Sequence, residues 1–104
     1  MISSKQISDK LKISHFGNTV SVNKPSSLDN PKDNSIVFLK KYSKNNIKKI
    51  AKKNNIFFIL PEDSPKKELI AMGITFSLCK DSRQTFFSTI ETFFSNKNNF
   101  LTFI

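Results

Sequence analysis

Apolar residues recur along this chain in short compact runs, separated by polar stretches with a helical period. Three runs dominate, at 35–39 (SIVFL), 56–60 (IFFIL) and 74–78 (ITFSL). Each is short and rich in Ile, Val and Phe, and reads as a strand buried on both faces. Ahead of them, Ser3 and Gln6 have the spacing of a capping box. Ile7 and Leu11 then fall on one face, predicting a short helix over 4–12. The sequence at 15–18 (HFGN) breaks that helix, and alternation at 19–22 suggests a brief strand. Residues 23–34 are rich in Pro, Asn and Asp and read as one long loop.

Between the apolar runs the period changes. Residues 43–55 place Ile47, Ile50 and Ala51 on one stripe, with Lys44, Lys48, Lys49, Lys52 and Lys53 around the rest. A second short helix is expected behind Pro65 and stops at Gly73. Asp81 and Gln84 cap a last helix with Phe86, Phe87, Ile90, Phe93 and Phe94 along one side. Residues 95–99 close it, and an apolar run at 100–104 follows as a surface that could pack on a partner. Apolar strands alternating with helices give an α/β fold, a small mostly parallel sheet covered on both faces.

The chain is 104 residues long, which suits a single domain. One cysteine and one histidine exclude an internal disulfide framework, a Cys-based zinc site and a multi-histidine metal centre. With two glycines, Gly17 and Gly73, there is no Gly-rich phosphate loop. No apolar segment has membrane-spanning length, and the start lacks a signal-peptide pattern, so a cytoplasmic location is expected.

Charge changes the picture less than its size suggests. Seventeen Lys+Arg against eight Asp+Glu give +9. Sixteen of the basic residues are Lys, whereas readers of nucleic acid lean on Arg. Nucleic acid is therefore not the favoured partner. The alternative it leaves open is a basic protein- or nucleic-acid-interaction module using the 44–53 helix face.

Several constellations carry both a structural and a chemical reading. His15 has no evident Ser or Asp partner in the sequence and reads as structural or solvated. Cys79 ends an apolar run and reads as packed rather than reactive. Glu62 and Asp63 follow a strand; a turn that caps the next helix is favoured over a ligand contact. Asp81, Ser82 and Arg83 open a helix, either as an N-cap with a solvated Arg or as an anion site. Phe38 and Tyr42 bracket Lys40 and Lys41 after a strand. Either Phe38 is core and Tyr42 a helix-start residue, or the two rings hold a planar ligand while a lysine meets its phosphate. No catalytic residue, metal site or cofactor is assigned.

The ordered runs resemble a known family. Residues 26–39 (SSLDNPKDNSIVFL) are similar to the "SLxxAxxGDLSFL" stretch of bacterial UDP-3-O-(3-hydroxyacyl)glucosamine N-acyltransferases of lipid A biosynthesis, in their N-terminal uridine-binding domain. Residues 56–63 (IFFILPED) resemble its "AAVLVxPED" strand and turn, and 77–87 (SLCKDSRQTFF) its "LLVVKDPYLAFA" strand and helix start. The resemblance covers nearly the whole chain. A related domain occurs in the peptidoglycan Mur ligases, so the resemblance implies that fold and recognition of a UDP-linked amino sugar.

It also implies that Phe38 and Tyr42 stack on uracil and that Lys40 or Lys41 meets the diphosphate. The family's "FLxNxKY" is two residues longer, its Asn position carries Lys41, and its "GD" is replaced by Asp33 and Asn34. The family's catalytic part is a β-helix of hexapeptide repeats, which brings the acyl carrier protein and a homotrimer. No such repeat occurs in these residues, so the expectation is a single nucleotide-sugar-binding domain over 1–104, not catalytic by itself.

Overall fold

The first element, β1 (Ile2–Ser3), runs straight into α1 (Ser4–Leu11). Ser3 and Gln6 cap this helix reciprocally, as their spacing predicts. In the computed structural model, which describes residues 1–94, β2 (Ser21–Val22) returns antiparallel to β1. Then come β3 (Lys24–Pro25), β4 (Ser35–Phe38), α2 (Lys44–Ile50), β5 (Ile56–Pro61), α3 (Lys66–Ala71), β6 (Thr75–Cys79) and α4 (Ser82–Phe93). The apolar run expected at 100–104 lies outside the described residues.

Strands β3 to β6 form one all-parallel sheet in the order β3-β4-β5-β6. Side chains alternate across it. Val37, Phe58, Leu60 and Phe76 pack under α2 and α3 with Ile47, Ile50 and Leu69. Ile36, Phe57 and Ile59 pack under α1 and α4 with Ile7, Phe86 and Ile90. Both crossovers step the same way across the sheet, so their right-handedness puts α2 and α3 on one face. The other face is left for α1 and α4. This is the α/β sheet covered on both sides that the sequence implies.

Three local expectations change. The loop over 23–34 contains β3, because Lys24 and Pro25 pair in parallel with Ser35 and Ile36. Pro25 is tolerated because β3 is an edge strand, where a missing N–H costs no ladder bond. The helix expected over 43–55 ends at Ile50, and Ala51 is exposed rather than buried. Beyond it, residues 54 and 55 are held by the loop at 33 and 34 instead of continuing the helix. Asn54 N–H donates to Asp33 Oδ1 (2.9 Å), Asn55 Nδ2 to Asn34 Oδ1 (2.7 Å), and Asn55 takes a left-handed φ of 56°. Finally, neither Glu62 nor Asp63 caps α3. The turn is present, but the N-cap is Pro65, without a side-chain bond.

The outer edge of β6 is covered by the segment after α1. Phe16 and Phe76 exchange backbone hydrogen bonds of 2.8 and 2.9 Å. Leu78 N–H donates to Ser14 Oγ (3.0 Å), and Thr75 Oγ1 donates to the Asn18 carbonyl (2.6 Å). Gly17 makes the strap possible. Its φ of +90° and the closeness of the Ile74 backbone leave no place for a Cβ.

Candidate functional site

A cleft of about 570 Å³ opens at the C-terminal ends of β3 and β4. Open parallel sheets bind ligands beyond the carboxyl ends of their strands. The loop after β3 contributes Ser26 to Asp29, the loop after β4 contributes Leu39 to Ser43, and α4 contributes Arg83, Phe86 and Phe87. Phe38, Lys40, Lys41 and Tyr42 all line this one cleft.

The two aromatic rings reach it from different layers. Phe38 is half-buried and joins the core on the α4 side. Its ring lies 4.7 Å from Phe86 and 6.4 Å from Phe87. Tyr42 packs instead on the α2–α3 side, and its hydroxyl donates over a long 3.5 Å to Glu68 Oε2. Partial desolvation, followed by the Glu68 charge, pushes the Tyr42 pKa up. The aromatic wall of the cleft therefore continues from Phe38 into α4, where the Phe stripe serves both as core and as wall.

Lys40 and Lys41 are exposed on the ridge between this cleft and a neighbouring one of about 640 Å³, lined also by Glu62, Asp63 and Lys80. The ion pair among the described residues is Lys5–Asp9 at 3.3 Å, so no carboxylate neutralises Lys40, Lys41 or Arg83. The lysines of 44–53 are likewise exposed around the buried Ile47 and Ile50.

The start of α4 is fixed by two bonds. Asp81 Oδ1 accepts from Gln84 N–H (3.0 Å), which is the capping role its spacing implies. The buried Ser82 Oγ donates to the Leu39 carbonyl (2.7 Å), tying the helix to the end of β4. Arg83 thereby faces the cleft. The sequence places it only at a helix start, since nothing local tells which strand end that helix crosses.

The remaining chemistry-bearing residues are structural. His15 Nε2 lies 2.8 Å from Ser4 Oγ, a partner the sequence does not reveal. Ser4 Oγ also accepts from Val20 N–H (3.0 Å), so one hydroxyl joins the His15 ring to the start of the chain's return after α1. Burial lowers the His15 pKa, Lys5 lowers it further, and Asp9 partly opposes this. Ser4 has no exposed surface for a substrate to reach. Cys79 is buried against Ser77 Oγ at 3.4 Å. Among the described residues, no group of three or more His, Cys, Asp or Glu could hold a metal. No helix there is long and apolar enough to cross a membrane.

No family model, curated protein or solved structure matches the chain.

Proposed function

We propose that this domain binds a uridine nucleotide sugar and is a recognition module, not itself catalytic, of an N-acyltransferase-like enzyme of lipid A or related amino-sugar biosynthesis. The observation that carries the reading is the convergence of Phe38, Lys40, Lys41 and Tyr42 on one cleft at the C-terminal ends of parallel strands. In this reading the uracil lies against the Phe38 wall with Tyr42 at its other side, and the diphosphate meets Lys40 and Lys41. The all-parallel sheet with helices on both faces is compatible with a Mur-ligase-type N-terminal domain. Acyl transfer, the acyl carrier protein and a trimer belong to the hexapeptide β-helix of the family the chain resembles.

Titration of isotopically labelled protein with UDP and UDP-N-acetylglucosamine, followed by NMR, tests this reading. Shifts concentrated at Phe38 and Tyr42 are expected. No shift at about millimolar ligand, which corresponds to the weakest useful affinity, refutes it. Equal response to ADP removes the uridine preference. Binding to any oligonucleotide with a steep salt dependence favours the basic helix face instead.

A further inference from the structure

The chain has a single arginine, Arg83, and the fold sets it in the cleft wall. It is exposed, in the first turn of α4, and no carboxylate lies within ion-pair distance among the described residues. Its guanidinium is 5.5 Å from the centre of the Phe87 ring. Phe87 meets Phe86 edge-on (5.6 Å, 77°), and Phe86 lies 4.7 Å from Phe38. A continuous row of rings thus runs from the end of β4 to a guanidinium.

That arrangement has a chemical consequence. A ring beside a guanidinium holds it in place without consuming its N–H donors, all of which lie in the guanidinium plane. The donors remain available to the cleft. Lys40, Lys41 and Arg83 face a single acidic residue there, Asp29, so the lining is net positive. The buried bond from Ser82 to the Leu39 carbonyl keeps the turn carrying Arg83 beside the strand end from which Lys40 departs.

We infer that Arg83 is the anion-gripping residue of this cleft, and that it makes the cleft select a planar ring bearing a phosphate or diphosphate over the same ring without one. The inference rests on the nucleotide reading above and adds the residue that sets the preference. A guanidinium fork engages two phosphate oxygens at once, whereas Lys40 and Lys41 act as mobile point charges.

Calorimetric titration of the wild type, Arg83→Gln and Arg83→Lys with uridine, UDP and inorganic pyrophosphate provides the test. Arg83→Gln is expected to weaken UDP and pyrophosphate by about tenfold or more, the scale of a lost charge-assisted hydrogen bond, and to leave uridine unchanged. Arg83→Lys should fall between. A thermal melt confirms that these surface changes leave the fold intact. Unchanged UDP affinity in Arg83→Gln overturns the inference, as does equal weakening of uridine and UDP. So does a wild type that binds UDP no better than uridine. Arg83-dependent binding of pyrophosphate, with uridine inert and UDP no tighter than pyrophosphate, overturns the uridine reading and upholds the anion role. A wild type that binds none of the three overturns both.

Discussion

Gly17→Ala and Gly73→Ala form a matched pair that isolates the contribution of the strap on β6. Both glycines have positive φ, +90° and +73°. An L side chain at Gly73 meets nothing within 4 Å, so its cost is conformational alone. That cost is about 1 kcal/mol after allowing for the stiffer unfolded chain. At Gly17 the added Cβ would overlap the Ile74 carbonyl oxygen and press on Thr75 Cα at 3.0 Å. Both obstacles are backbone, so the strap must lift. Lifting it breaks the Phe16–Phe76 pair of hydrogen bonds and the bond from Thr75 to the Asn18 carbonyl. At about 1 kcal/mol each, these bring the Gly17→Ala loss to about 4 kcal/mol.

Urea unfolding followed by circular dichroism reads the difference. With a slope of about 1.2 kcal/mol per M for a domain of this size, the midpoint should fall by about 3 M for Gly17→Ala and by about 0.8 M for Gly73→Ala. Equal midpoints for the two variants would refute the reasoning, because they would mean that the strap contributes nothing to the stability of β6.

The pH response of stability follows from His15. Its pKa is lowered in the fold, by burial first and then by Lys5. The unfolded chain therefore takes up the proton at higher pH than the folded one. This contribution is complete above about pH 6.5 and is lost as pH falls through the folded value. Urea midpoints at pH 7.5 and 5.5 should converge in His15→Asn relative to the wild type; an unaltered pH slope removes His15 as the cause. Ser82→Ala deletes the buried 2.7 Å bond to the Leu39 carbonyl. It should cost about 1–2 kcal/mol, lowering Tm by about 5–10 °C in a thermal melt, and it should weaken UDP binding by releasing the turn that carries Arg83. A melt identical to the wild type would show that this bond does not tie α4 to β4.

The strands were legible because burial on both faces demands unbroken apolar runs, as at 35–39, 56–60 and 74–78. Caps were legible too, since Ser3 with Gln6 and Asp81 with Gln84 act within one turn of chain. What stayed hidden depends on contacts distant in sequence. Lys24 and Pro25 have no strand signature and become a strand only because β4 offers a free edge. Ala51 has the right period for a buried face, yet α2 ends at Ile50 and leaves it exposed as the C-cap. The same division holds at the cleft. Phe38, Lys40, Lys41 and Tyr42 are neighbours in sequence and could be read together. Arg83 joins them only through the path of α4 across the sheet, and Phe38 and Tyr42 prove to belong to opposite core layers.

The order of the sheet also bears on when the cleft comes into being. Strands β3 to β6 lie side by side in the order in which a ribosome would deliver them, so each can dock on its predecessor without waiting for a later partner. Helix α4 is the exception. It comes after every strand of the described residues, yet it covers the face formed by β4 and β5 and supplies Arg83, Phe86 and Phe87 to the cleft. The aromatic and guanidinium part of the binding wall is thus the last part of the described chain to be synthesised. A growing chain would display the Lys40–Lys41 ridge early, but it would enclose a ligand only once α4 had closed over the sheet.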